Sequence, residues 1–93
     1  MNPKGLRRRL ARLRAEAKGG LPSAKVKGFA RALGRVPVNR GTHPTYVSTR
    51  FPDLRPVTIP HHSKPLAPGT AGSILESLEL DLERIEEEYD RES

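Results

Sequence analysis

The spacing of the apolar residues changes twice along this chain, and these changes constrain its fold more than any other feature. Near the N-terminus, Leu6, Leu10, Leu13 and Ala17 recur every three or four positions, which places them on one side of a helix. A second helical stripe follows, and a third occupies the C-terminal part of the chain. Between the second and third stripes, apolar and polar residues alternate, as they do in strands that bury one face.

Capping residues mark the expected helix starts. Asn2 is the candidate N-cap of the first helix, and Ser23 that of the second, which closes at Gly34. Thr70 is the candidate N-cap of the last helix, which carries a short heptad seam. Asp81 can cap a new helix start, so it is a candidate interruption of that last helix.

Three short strands are expected between the second and last helices. Val36 and Val38 belong to the first strand, residues 43–49 to the second and residues 56–59 to the third. Prolines within these segments cannot donate ladder hydrogen bonds, so the strands should be short or irregular. The expected fold is α+β, with a three-stranded antiparallel sheet, helices on one face of it and an added basic N-terminal helix.

The small number of apolar residues limits the core to one small domain. Of the 93 residues, 34% are apolar and 4% aromatic. We expect residues 1–20 to form an Arg-rich helix and linker, and residues 21–93 to form the main domain with an extended acidic C-terminal helix. Cysteine, a membrane-spanning apolar run and a signal sequence are all missing from the chain, so we expect a cytoplasmic protein that does not engage a membrane.

Charge is strongly segregated along the chain. Residues 1–50 hold 13 Lys and Arg against the single acid Glu16, whereas residues 51–93 hold 4 Lys and Arg against 10 Asp and Glu. A basic half of this density is typical of proteins that bind a polyanion, most often nucleic acid. The alternative is that these cations only solubilise helix faces.

The Arg-rich first helix has three possible roles. It can extend an RNA-binding surface, pack on the acidic C-terminal helix, or lie on a membrane as a basic amphipathic helix. The helix lacks Trp and Phe, which disfavours the membrane role. We favour packing combined with RNA contact.

Residues 23–80 resemble the HicA family of toxin–antitoxin mRNA interferases in the order of several short motifs. GTHPTY at residues 41–46 is similar to the family's Gly-Ser-His followed by an aromatic residue three positions later. VTIPHH at residues 57–62 is similar to its strand ending in Pro-x-His, and LAPGT at residues 66–70 to its Leu-x-x-Gly-Thr. Thr42 stands where the family usually has Ser, and Pro44 follows the histidine.

The resemblance implies a fold like that of a double-stranded RNA-binding domain, a ribonuclease activity on mRNA and a HicB-like antitoxin as partner. It also implies that His43 is catalytic. Histidine suits this role because its ordinary pKa of about 6.5 lies near working pH, so that it can take the 2′-hydroxyl proton of RNA without a metal or other cofactor.

The expected RNA contacts are cationic or imidazole side chains near the two histidine-bearing motifs or on the second helix. These residues are Arg40, Arg50, Lys64, His62, Lys25 and Lys27. Strand alternation places His43, Thr45 and Val47 on one face and Tyr46 on the other. If Tyr46 packs under the helices, His43 is expected to face outward.

Simpler interpretations stand beside the catalytic one. His43 can be an ordinary residue at a strand start, and His62 an ordinary polar loop residue. A zinc site formed by His43, His61 and His62 lacks the usual ligand spacing and is disfavoured. The protein as a whole can be an endoribonuclease toxin, a non-catalytic RNA-binding module on the same fold, or a structural protein whose charged halves mediate self-assembly.

Overall fold

The computed structural model describes residues 2–38, 44–61 and 63–92. The elements in chain order are α1 (Lys4–Ala17), α2 (Ser23–Ala32), β1 (Arg35–Val38), β2 (Thr45–Ser48), β3 (Val57–Thr58) and α3 (Pro68–Glu92). The strands form one antiparallel sheet in the order β1-β2-β3. The α+β class and the three-stranded antiparallel sheet are therefore confirmed.

None of the three predicted N-caps lies in the N-cap position, which in α1 is held by Pro3 and not by Asn2. α2 begins at Ser23 itself, with Pro22 in the N-cap position and no side-chain cap. α3 begins at Pro68, so Thr70 lies within its first turn. A proline is tolerated there because the first amides of a helix have no intrahelical partner, so the missing N–H costs nothing.

The two faces of the sheet differ in burial as strand alternation requires. Tyr46 and Ser48 of β2 are buried and face the helices, together with Val57 of β3. On the opposite, open face, Thr45 and Val47 are partly exposed. The predicted alternation of β2 is thus confirmed for residues 45–48.

The apolar stripes of the three helices form one core. The stripe of α1, from Leu6 to Ala17, is buried in the same cluster as Phe29 of α2 and Leu78 of α3. Asn2 accepts a hydrogen bond from the Lys4 amide at 2.9 Å and so supports the first turn of α1. The residues that sequence spacing placed on the inner side of each helix therefore pack, except Tyr89, the last residue of the predicted seam of α3, which is 38% exposed.

Ion pairs join α1 to the acidic helix α3. Arg7 donates to Glu79 and Glu86 at 2.6 Å, and Arg14 also donates to Glu79. Hydrogen bonds from Arg7 and then Arg14 lower the pKa of Glu79, and the bond to Glu86 is the main cause of the raised pKa of Arg7. The acidic helix therefore covers part of the basic helix within the same chain, as the packing interpretation of α1 expects.

A buried ion pair ties the sheet to α3. The Arg35 Nε and Nη2 atoms donate to the two carboxylate oxygens of Asp81 at 2.8 and 2.9 Å. Its Nη1 atom donates to the carbonyl oxygens of Tyr46 at 2.8 Å and Arg55 at 2.9 Å. The side chains of Arg35 and Asp81 are 1% and 0% exposed. One guanidinium thus connects β1, β2, the loop before β3 and α3.

The expected interruption of the last helix at Asp81 does not occur. α3 is continuous from Pro68 to Glu92, and Asp81 points into the core. Its carboxylate accepts two hydrogen bonds from Arg35 and is not used to cap a new helix. A helix accommodates a buried aspartate in this way because a bidentate guanidinium satisfies both oxygens.

Candidate functional site

Three of the predicted site residues, His43, Arg40 and His62, lie outside the described residues. The other four, Arg50, Lys64, Lys25 and Lys27, are described. Residues 39–43 connect β1 to β2, and the flanking strands pair in register, with Val38 opposite Thr45. The described residues nearest to His43 in the sequence are therefore Pro44 and the residues of β2. These residues and their neighbours in the sheet define the surroundings of the candidate site.

The two histidine-bearing motifs meet in the sheet. Pro44, which follows His43 in the sequence, accepts a hydrogen bond from the Ile59 amide at 3.2 Å through its carbonyl oxygen. One residue further along, Thr45 lies opposite Thr58, and their hydroxyl oxygens are 3.3 Å apart. The start of β2 and the end of β3 are thus direct neighbours, although more than a dozen residues separate them in sequence.

A lysine and a histidine lie beside this junction. Lys27 Nζ of α2 is 2.7 Å from His61 Nδ1, and His61 comes two residues after Ile59. An ammonium group has no lone pair and can only donate, so Nδ1 is the acceptor if this contact is a hydrogen bond. The contact holds the chain after β3 against α2.

His61 is a residue of this region that sequence reasoning did not select. The resemblance pointed to His62, one position later, and the adjacent His61 was considered only as a zinc ligand. Within residues 2–38, 44–61 and 63–92 there is no group of three His, Cys, Asp or Glu able to hold a metal ion. The signal that could have identified His61 is the tertiary contact with Lys27, which sequence spacing does not reveal.

Arg50 lies at the other end of β2. It follows the strand, whereas Pro44 precedes it, so five or six residues of extended chain, on the order of 16–20 Å, separate the two positions. Arg50 donates to Glu88 of α3 at 2.9 Å and lies over the Phe51 ring at 5.5 Å. The structure therefore does not bring Arg50 together with the Lys27–His61 contact.

The two remaining lysines differ in how far neighbouring groups neutralise them. Lys25 donates to Glu16 of α1 at 2.7 Å. Lys64 is exposed in the loop between β3 and α3 and forms no ion pair with any residue in the described part of the chain. This loop is anchored two residues later, where Leu66 and Leu21 exchange backbone hydrogen bonds of 2.7 and 3.1 Å.

The four described cations among the predicted RNA contacts therefore divide into two groups. Lys25 and Arg50 are each balanced by a carboxylate, Glu16 and Glu88 respectively. Lys27 contacts an imidazole instead, and Lys64 has no acid against it among the described residues. Of these four, only Lys27 and Lys64 keep their full charge available for an anionic ligand.

Comparison with protein-family models, with curated proteins and with solved structures finds no match for this chain. A search of the described helices for one of the length and hydropathy needed to span a bilayer also finds none. The function must therefore be argued from the residues and the geometry.

Proposed function

We propose that this protein is the toxin of a HicA-type toxin–antitoxin pair, a metal-independent endoribonuclease that cleaves mRNA and is neutralised by a HicB-like antitoxin. One observation carries the proposal: the Ile59–Pro44 hydrogen bond makes neighbours of the two motifs on which the resemblance rests. A catalytic histidine and the strand that ends in Pro-x-His must be close in space if they serve one site.

We also propose that residues 21–93 adopt the arrangement of a double-stranded RNA-binding domain. The order α2, three antiparallel strands, α3 supports this assignment. It leaves α1 as an addition that packs on α3. A cytoplasmic location, where mRNA is available, belongs to the same proposal.

In the proposed mechanism, His43 takes the proton of a ribose 2′-hydroxyl, and the freed oxygen attacks the adjacent phosphorus. The bond from phosphorus to the 5′-oxygen breaks, and the departing oxygen accepts a proton from His62 or water, which leaves a cyclic phosphate. Cations near the phosphate stabilise the charge that develops on its oxygens. Lys27 is suited to this role because His61 holds its ammonium group beside the β2–β3 junction.

Expression in cells tests the proposal directly. Wild-type protein should arrest growth and deplete mRNA, whereas a His43→Ala variant expressed to the same level should do neither. Growth and the abundance of several transcripts are the measurements. RNA binding by both proteins without cleavage by either would support the alternative function, a non-catalytic RNA-binding module on the same fold.

The site geometry also ranks the described cations. Lys27→Ala and Lys64→Ala should weaken binding to RNA more than Lys25→Ala and Arg50→Ala, because carboxylates already balance Lys25 and Arg50. Each variant removes one charge, so the four are matched in net charge. Affinity for a labelled RNA, measured at several salt concentrations, gives the ranking, and equal losses in all four would contradict it.

A further inference from the structure

The arginines of α1 fall into two sets that face different parts of the molecule. Arg7 and Arg14 face α3 and form ion pairs with Glu79 and Glu86. Arg8, Arg9 and Arg12, which we call the arginine face, have no carboxylate within ion-pair distance among the described residues. Packing against α3 therefore explains the presence of Arg7 and Arg14, but it does not explain the arginine face.

Contacts with α2 extend the arginine face across the groove between the two helices. The guanidinium carbon of Arg9 lies 5.7 Å from the centre of the Phe29 ring. It reaches this position over Gly28, where a Cβ atom would lie 3.2 Å from Arg9 Nη2. Arg9 and Arg12 line a groove of about 270 Å³ together with Glu16. Glu16 is the only acid among residues 1–50 and is already paired with Lys25.

The burial of α1 decides between the partners that a basic helix can have. A helix that lies on a membrane inserts an apolar face, but the leucine stripe of α1 is buried in the core. The large apolar side chains that remain exposed in the described chain belong to other elements; they are Val36 and Val38 of β1 and Leu80 and Tyr89 of α3. Of these, Tyr89 lines a pocket together with Arg8. A helix that presents several guanidinium groups and keeps its own leucine stripe in the core fits a polyanion.

We propose that the arginine face binds the phosphate backbone of RNA, in addition to the cations beside the β2–β3 junction. The choice of RNA as the polyanion rests on the proposed function. Arg8 and Arg12 are one helical turn apart, about 6 Å along the axis, so both can neutralise phosphates of one strand. Such contacts add affinity by counterion release and do not depend on base sequence.

A matched pair of double variants tests the proposal. Arg8→Gln with Arg12→Gln removes two charges from the arginine face, and Arg7→Gln with Arg14→Gln removes two from the face that packs on α3. The probe is a labelled single-stranded RNA, and the measurement is the slope of log affinity against log salt. The first double should reduce this slope by about 1.4, at about 0.7 for each lost contact. Between 50 and 200 mM salt the wild type should then lose about sevenfold more affinity than this variant.

The second double should leave the slope close to that of wild type, because its arginines are already paired with acids. If circular dichroism shows that the second double does not fold, Arg12→Gln and Arg14→Gln provide the same comparison with one charge each. Equal slopes in the matched variants would overturn the proposal, since net charge alone would then explain binding. Binding to phosphatidylserine vesicles that requires Arg8 and Arg12, without any change in the RNA slope, would also overturn it.

Cleavage assays on the same proteins separate this inference from the proposed function. Suppose that wild-type protein does not cleave RNA, and that the salt slope falls only in the double variant of Arg8 and Arg12. The nuclease proposal then fails, whereas RNA binding by the arginine face is supported. If wild-type protein cleaves RNA and the double variant of Arg8 and Arg12 has the wild-type salt slope, only the proposed RNA binding by the arginine face is refuted.

Discussion

Replacing Asp81 with alanine should lower the free energy of unfolding by about 3–5 kcal/mol, the usual cost of leaving one member of a buried ion pair alone. Arg35 would keep a buried positive charge with no carboxylate to balance it, because both side chains are sealed from solvent. A domain of this size has a total stability of about 5–15 kcal/mol, so the loss is a large fraction of it. Urea unfolding followed by far-UV circular dichroism measures the change.

Two further variants make this prediction specific. Glu83→Ala removes an exposed acid from the same helix and should change stability by no more than about 0.5 kcal/mol. Adding Arg35→Met to an Asp81→Leu variant removes both charges and should recover part of the loss. Recovery should be incomplete, because the carbonyl oxygens of Tyr46 and Arg55 would lose their donor. A loss below about 1 kcal/mol for Asp81→Ala would show that the pair is not buried in solution.

Replacing His43 with alanine should lower the rate of RNA cleavage by the purified protein by about 10²–10⁴-fold, the usual contribution of a positioned general base. Affinity for RNA should change much less, because cations supply most of the binding to phosphate. The wild-type rate should rise from acid to neutral pH, since only the neutral imidazole ring accepts a proton. Single-turnover cleavage of a labelled RNA across this pH range measures both effects.

The same assay needs a control variant that leaves the proposed site unchanged. Glu83→Ala on α3 serves that purpose. Its cleavage rate should match that of the wild type. Circular dichroism of His43→Ala should also match, which excludes unfolding as the cause of the loss. A His43→Ala protein that cleaves RNA at the wild-type rate would remove His43 from the mechanism and leave the RNA-binding module as the better description.

The periodicity of the apolar residues was sufficient to predict the helices and strands. The spacing of apolar residues within a single segment already shows which side of a helix or strand will be buried. The leucines of α1, the alternation around Tyr46 and the acidic helix α3 could all be read from the chain. The helix starts at Ser23 and Pro68 were less predictable, since prolines in the first turn compete with side-chain caps as start signals.

Contacts between distant polar residues could not be predicted in the same way. Asp81 lies seven residues, or about two helical turns, after Ile74 and therefore on the buried stripe of α3. This spacing was the signal in the sequence that Asp81 is buried and does not cap a helix. Its partner Arg35 lies 46 positions earlier in the sequence. No local rule selects that arginine, since many others precede it in the chain.

The sequence by itself determined the class of fold, the segregation of charge and the histidine motifs, because these depend on residue type and spacing. Only the tertiary structure decided which cations keep their charge available. Arg7, Arg14, Lys25 and Arg50 are neutralised by acids that the fold brings to them. The reason is physical: an ion pair depends on distance in space, and distance in space is set by how helices and strands pack.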